Sequence, residues 1–257
     1  MHHFFVAASQ IDHQSNTVKI KNADVHHMRK VLRLTVGDKV SISDGSGNRY
    51  TAVICKLNPE SVILEILSTD TADMDQGGLP VTLVQGVAKG SKMEWIIQKM
   101  TEMGIDAVKP VMTEFTVVRF VARSDAKKKR DRWQKIAEEA SKQSKRTSIP
   151  VVHTPESFKD FMLSDKDTDK TLRLLAHEKT SGRKLSDYLQ PNNLEKYQQI
   201  EIWVGPEGGF SKAEVDLARQ SGVSLVGLGP RILRTETAGL VLLSIILYEM
   251  GVLEGSF

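Results

Sequence analysis

The sequence predicts an α/β protein in two parts, a small N-terminal β-barrel and a C-terminal, mostly parallel sheet with helices on both faces. Three observations predict it. Residues 1 to about 67 carry short strand-like runs joined by tight turns. From residue 79 onward strand patterns alternate with helix patterns, the rhythm of a parallel sheet covered on both faces. Two glycine-bearing segments, 204–211 and 228–238, each leave a strand and enter a helix.

In the first part, residues 40–44 alternate apolar and polar side chains, and Gly45-Ser46-Gly47-Asn48 is a turn. Residues 50–55 are rich in aromatic and β-branched side chains, Asn58-Pro59 turns the chain again, and 62–67 is a third strand. Residues 25–34 are a short helix candidate ahead of them. Cys55 lies inside a strand-like run and reads as a small core residue. The polar stretch 68–79, with Gly77-Gly78, is the best linker, so the expected domains are 1–70 and 79–257.

The second part opens with a strand at 81–87. Ser91 and Glu94 have capping-box spacing, and the helix behind them places Met93, Ile96, Ile97, Met100 and Met103 on one face before Gly104 ends it. A strand follows at 107–112, then a helix from Ser124 with Trp133, Ile136, Ala137 and Ala140 as its apolar face. Thr154-Pro155 predicts another helix start, with proline at the first helical position. Strands at 171–176 and 200–204 precede a second capping box, Ser211 and Glu214, whose helix ends at Gly222. A strand at 223–228 leads to the last helix, 235–250, which is apolar nearly all round and therefore buried in the core or against another subunit.

Composition excludes several classes. One cysteine in 257 residues permits no intrachain disulfide and no cysteine-based zinc cluster, and fits a reducing, cytoplasmic compartment. There is no signal-peptide pattern, and no apolar run approaches the roughly 20 residues of a membrane span. Charge is uneven: residues 119–146 carry a net +7, with four consecutive basic residues at 127–130, whereas 200–257 carry −3. A basic segment of this kind suits a polyanion, or is a solvated helix face. No phosphate loop, dinucleotide fingerprint, zinc-protease motif or serine-hydrolase elbow is present.

The segments Val204-Gly205-Pro206-Glu207-Gly208-Gly209-Phe210-Ser211 and Leu228-Gly229-Pro230-Arg231-Ile232-Leu233-Arg234-Thr235-Glu236-Thr237-Ala238 exceed what a turn requires. Their glycines let backbone N–H and C=O groups approach a ligand such as an adenine edge, with leucine and isoleucine against its faces. Each alone could be a turn; the pair reads as a site.

The pair also resembles the cofactor loops of the SPOUT (α/β-knot) methyltransferases, and most nearly the 16S ribosomal RNA uridine N3-methyltransferases, the RsmE family. Lys89-Gly90 followed by Glu94, Gln98-Lys99, Glu102 and Gly104 is similar to that family's pattern after its first strand. Arg132-Trp133, Ile136-Ala137, Glu139-Ala140, Gln143-Ser144, Arg146 and Pro150 are similar to its basic helix. Residues 31–34 with Gly37-Asp38 and Asp44-Gly45 are similar to its PUA-like barrel. Two positions depart: His3 and Phe115 stand where the family commonly has arginine.

The resemblance implies a C-terminal trefoil knot, which general topology rules disfavour, and a homodimer with active sites at its interface. It implies S-adenosylmethionine as cofactor, S-adenosylhomocysteine as product, no metal, and methylation of N3 of a uridine in 16S rRNA of the small ribosomal subunit, uridine 1498 of the decoding region. The cofactor residues it implies are Leu175, then Gly205, Pro206, Glu207, Gly208 and Gly209 of the first loop. From the second loop come Leu228, Gly229, Ile232, Leu233, Thr237 and Ala238. The RNA-binding residues are Arg33, Lys127, Lys128, Lys129, Arg132, Gln143 and Arg146. Uracil N3 must lose its proton before it attacks a methyl group, so a cation beside the uracil oxygens lowers the barrier. Arg234 is the candidate for that cation, with Glu207 or Glu236 taking the proton or holding the arginine. Arg234 could instead only pair with a carboxylate, and Glu236 could only cap the last helix. RNA binding without catalysis and an oxidoreductase with an atypical nucleotide site are the rival readings.

Overall fold

The structure, a computed structural model, describes residues 1–21, 23–70, 78–120, 122–164, 169–178 and 184–253. The chain divides into two compact units, Met1–Asp75 with Ser141–Ile149, and Gln76–Ala140 with Pro150–Phe257. The middle of the expected linker, 71–77, lies outside the described residues.

The first unit is a six-stranded mixed sheet built from β1 (His2–Phe5), β2 (Ile11–Asp12), β3 (Thr17–Lys21), β4 (Lys39–Ser43), β5 (Arg49–Leu57) and β6 (Ser61–Asp70). The spatial order is β1-β4-β5-β6-β3-β2; β1 runs parallel to β4 and the other pairs are antiparallel. Alternate side chains such as Val40, Ile42, Tyr50, Ala52, Ile54 and Leu64 fill one core, the inward face that a period of two produces. Cys55 is not in it. The inward side chains of β5 are Tyr50, Ala52 and Ile54, so Cys55 falls on the outward side of the period and is exposed. The helix expected over 25–34 is two short pieces, α1 (Ala23–His26) and a π-helical turn, His27–Val31. Arg33 adopts a left-handed φ of 53° and the Leu34 N–H returns to Met28 O at 2.9 Å, which stops the helix there.

The second unit has a seven-stranded sheet, all parallel: β7 (Val81–Gly86), β8 (Ala107–Met112), β9 (Val151–Val152), β10 (Glu156–Ser157), β11 (Thr171–Ala176), β12 (Gln199–Val204) and β13 (Ser224–Val226). Its order is β10-β8-β7-β12-β11-β13, with β9 also on β8. Helices α2 (Lys92–Met103), α3 (Arg123–Ser144) and α8 (Thr235–Glu249) pack on one face through Ile97, Met100, Trp133, Leu243 and Ile246. Helices α4 (Phe158–Ser164) and α7 (Lys212–Gln220) pack on the other through Phe161, Val215 and Ala218. The central strands β7, β11 and β12 are buried on both faces, which is why they are rich in apolar residues, with Gln85, Arg173 and Glu201 buried among them. After β13, at the sheet's edge, the chain returns to its centre, where α8 packs on α2 and β12. Among the described residues no helix is long and apolar enough to cross a membrane.

Local signals were outweighed at two places, and a third stretch carried elements without a signal. Ser91 has helical dihedrals and its side chain caps nothing; Glu94 is taken by Arg132, 2.8 Å away. Residues 156–157, which follow Pro155, pair with β8 as a strand, so α4 starts at Phe158, with the Ser157 hydroxyl accepting from Asp160 N–H at 3.0 Å. Two short helices, α5 (Leu185–Tyr188) and α6 (Pro191–Leu194), fill a stretch in which the sequence had suggested no element. By contrast the Ser211–Glu214 box closes reciprocally, at 3.3 and 2.8 Å.

A charged cluster is buried in the sheet. Glu201 is 1% exposed; Lys109 Nζ lies 2.8 Å and Arg173 Nε 3.5 Å from its carboxylate, and the Trp203 indole N–H donates to it at 3.3 Å. Removing one member leaves buried charge uncompensated, at a cost of about 3–5 kcal/mol. Glu201→Ala should therefore lower stability by that amount, read as a reduced urea midpoint at unchanged slope.

Candidate functional site

The carboxyl ends of β11, β12 and β13 open onto a cleft of about 510 Å³, with an adjoining hollow of about 180 Å³. The first loop, from Val204 to Phe210, forms one wall and the start of α8 the other. Ala176, the last residue of β11, and His177 and Glu178 just beyond it line both hollows, as do Ile232, Leu233 and Ala238. Leu228 and Gly229 belong to the smaller one. The structure thus brings the two glycine-bearing segments together, as their pattern suggests. Two of the expected residues stand elsewhere: Leu175 is fully buried with Trp203 and Phe210 in the core of the opposite face, and Thr237 does not line the cleft. Leu175 alternates inward because its neighbour Ala176 faces the opening.

The first loop is folded tightly on itself. A Cβ on Gly205 would stand 2.8 Å from Gly209 Cα and C, and a Cβ on Gly86, across at the end of β7, would stand 2.3 Å from Pro206 Cδ. Neither position admits a side chain. Gln85, fully buried at the end of β7, holds the whole arrangement. Its side-chain N–H group donates to Gly86 O and Thr235 Oγ1, both at 2.9 Å, with Val204 O at 3.3 Å and Gly205 O at 3.4 Å. The Thr235 hydroxyl donates in turn to Gly205 O at 2.6 Å.

Charge in the cleft is organised around Lys92, on the first turn of α2. Its Nζ is 3.0 Å from Glu207 Oε1 and 3.9 Å from Glu236 Oε2. Glu207 Oε1 also accepts the Lys89 backbone N–H at 3.2 Å. Glu236 Oε2 is buried with no hydrogen-bond partner among the described residues. Arg234, at the N-cap of α8, lines the cleft, is exposed, and pairs with no carboxylate among the described residues. Neither Glu236 nor Arg234 caps α8 through its side chain. Gln85, Lys92, His177 and Glu178 were not singled out from sequence. The signal for Gln85 was available, as a lone amide in an apolar strand; that for Lys92 was only its position one turn into a helix beside the Lys89-Gly90 pair.

The residues expected on RNA are distributed over both units. Arg33 and Gln143 are exposed in the first. Lys127, Lys128 and Lys129 are exposed on α3 in the second, and Arg132 there is exposed but paired with Glu94. Arg146 is 5% exposed and donates to Ser148 Oγ at 3.1 Å. The left-handed φ of 58° at Lys145 turns the chain and carries Arg146 inward, so it is not an open phosphate contact.

Residues 76–247 match the RNA methyltransferase domain family, and residues 20–67 match its RNA methyltransferase PUA domain. A protein of Bacillus subtilis (strain 168) named ribosomal RNA small subunit methyltransferase E is 35% identical over 98% of both chains. A Synechocystis protein of the same name is 36% identical over 89% of this chain and 72% of its own. A crystal structure of a ribosomal RNA small subunit methyltransferase E from Neisseria gonorrhoeae, bound to S-adenosyl methionine, superposes with a TM-score of 0.81 at 29% identity, covering 96% of this chain and 97% of that one.

Burial pushes the Glu207 carboxyl up, but hydrogen bonds from its own amide, Lys92 and Lys89, with the Lys92 charge, bring it below its ordinary 4.5. A depressed folded pKa stabilises the fold above that ordinary value, and the contribution fades as pH falls through the lower folded value. Lys92→Met should move the Glu207 titration upward, followed by carboxyl carbon NMR; an unmoved titration would mean that the backbone donors alone hold it.

Proposed function

We propose, from the premise that this chain belongs to the ribosomal RNA small subunit methyltransferase E family, that it transfers the methyl group of S-adenosylmethionine to N3 of a uridine in 16S rRNA. The observation that carries the chemistry is the presence, in one cleft, of an exposed Arg234 and a buried Glu236 oxygen, neither of which has a hydrogen-bond or ion-pair partner within reach among the described residues except Lys92, 3.9 Å from that oxygen. The cleft fits the cofactor. Its volume of about 510 Å³ is that of a small-molecule site. Gly208 and Gly209 leave backbone open for polar edges, Leu228, Leu233 and Ala238 supply apolar walls, and Glu207 and Glu236 place negative charge near a cationic ligand. When bound, the cofactor supplies a methyl carbon on a positively charged sulfur, which departs as the neutral thioether of S-adenosylhomocysteine.

The chain's own groups divide the remaining work. Glu207, held by Lys92 and Lys89 and depressed in pKa, is a weak base and serves to position. Glu236, with an undonated oxygen, takes the N3 proton. Arg234 stays protonated and cannot act as a base; it holds a uracil oxygen as negative charge develops there. Lys127, Lys128, Lys129, Arg132 and Arg33 contact phosphates, with residues 1–70 as a PUA-like RNA-binding domain and 79–257 as the catalytic domain. The same reading makes the protein a cytoplasmic homodimer working on the small ribosomal subunit or its rRNA. Half-buried Leu240 and Ile245 with exposed Tyr248 leave α8 apolar surface for a second copy, so sedimentation should return about twice 28.6 kDa.

Tritium transfer from labelled S-adenosylmethionine to free rRNA and to small subunits, followed by nucleoside mapping, tests the reading. Label in N3-methyluridine is expected, and label in any other nucleoside, or none, refutes it. Arg234→Ala should slow single-turnover transfer by about 10²–10³, with a smaller change in cofactor affinity and only partial rescue by lysine, which lacks the planar fork. Glu236→Gln should slow single-turnover transfer at neutral pH, whereas Glu207→Gln should act chiefly on cofactor affinity.

A further inference from the structure

Beside the first loop runs a segment that neither the cleft nor the core accounts for. Strand β8 ends at Met112, and the residues after it form a fastened turn. The Thr113 N–H donates to Thr116 Oγ1 at 2.9 Å, the two hydroxyls are 3.0 Å apart, and the Thr116 N–H donates to Thr113 O at 3.1 Å. Both threonines are buried. The Glu114 N–H donates to Glu214 Oε1 at 2.8 Å, which ties the turn to α7. This frame carries Phe115 outward. Phe115 is 47% exposed, yet its base packs on the cleft-lining loop, since a Cβ on Gly208 would stand 2.7 Å from Phe115 Cβ.

Beyond the turn exposure alternates. Val117 is 62% exposed and Arg119 exposed, while Val118 and Phe120 are half-buried against the main core. Phe115, Val117 and Arg119 therefore face solvent from a backbone pinned between them. Folding needs no aromatic ring on a rigid, exposed turn. A fixed aromatic face with a following cation is what grips single-stranded RNA, the face stacking a base and the cation tracking the phosphates. The +7 stretch that starts at Arg119 continues the positive charge into α3.

The geometry points to residues 113–119 as a binding strip for single-stranded RNA, in which Phe115 stacks on a base beside the target uridine and Arg119 contacts a phosphate. This rests on methyl transfer to RNA occurring in the adjoining cleft. The strip gives that cleft a means of holding a splayed-out, unpaired stretch and so of rejecting duplex.

Four full-length variants test it: Phe115→Ala, Phe115→Leu, Phe115→Trp and Arg119→Gln. The probe is a short fluorescent single-stranded oligoribonucleotide followed by anisotropy, with cofactor affinity by calorimetry and mass by sedimentation as controls. Alanine and leucine should both weaken RNA binding about ten-fold, from the loss of one stacked base. Tryptophan should keep affinity within about two-fold, with its indole emission quenched by RNA. Arg119→Gln should reduce the slope of log affinity against log salt by about one. Cofactor affinity and mass should not change. The strip is overturned if leucine binds as well as phenylalanine, since apolar contact without a π-face would then suffice. It is overturned equally if alanine alters cofactor affinity, making Phe115 a brace for Gly208, or if alanine changes the mass, making the strip a docking face for protein. A wild-type protein with these binding signatures but no methyl transfer would refute the proposed reaction and leave the strip standing.

Discussion

The side-chain amide of Gln85 joins the ends of two neighbouring strands to the start of the last helix. Its N–H group reaches Gly86 O on β7, Val204 O and Gly205 O at the exit of β12, and Thr235 Oγ1 on α8. In a buried, low-dielectric setting such shared hydrogen bonds polarise one another and hold geometry better than exposed ones do. The cleft exists because those three chain segments cannot drift apart. The cost is visible in Gln85 Oε1, which is buried without a hydrogen-bond partner. Gly86 and Gly205 complete the constraint by removing the Cβ atoms that would push the first loop off the sheet.

On that frame the charges sort themselves by the donors each can reach. Glu207 lies within reach of Lys92 Nζ and Lys89 N–H and is held as an anion. Glu236, 3.9 Å from Lys92 Nζ, keeps an oxygen without a hydrogen-bond donor among the described residues. Arg234 emerges at the N-cap, where no carboxylate among the described residues competes for it. Two glutamates read as interchangeable in a linear motif thus acquire different chemistry from the single lysine between them, which approaches one at 3.0 Å and the other at 3.9 Å.

Where one local rule was strong and uncontested, sequence reading located the element. The apolar-rich strands β7, β11 and β12, the Ser211–Glu214 box and the left-handed Gly104 at the end of α2 are of this kind. Where two partners competed for one group, the tertiary partner won. Glu94 pairs with Arg132 instead of capping α2, and residues 156–157 join β8 instead of opening α4. Arg146 turned inward because Lys145 adopted a left-handed conformation. None of these leaves a mark in composition or period. Cys55 differs: it is exposed because the inward phase of β5 is set by Tyr50, Ala52 and Ile54.

By itself the sequence determined the order of the principal strands and helices of the second unit, the two glycine-bearing connections that must lie at the carboxyl edge of a parallel sheet, and the side chains present on them. Those follow from periodicity and from residues with restricted or unusual backbone freedom, which act over a few positions. Only the tertiary structure decided which groups meet: Gln85 with Thr235 across 150 positions, Lys92 with Glu207 and Glu236, Phe115 with Gly208. Such encounters depend on strand order and on the return of α8 to the middle of the sheet. Loop closure over these separations is entropically almost indifferent to length, so nothing in the spacing of these residues announces that they touch.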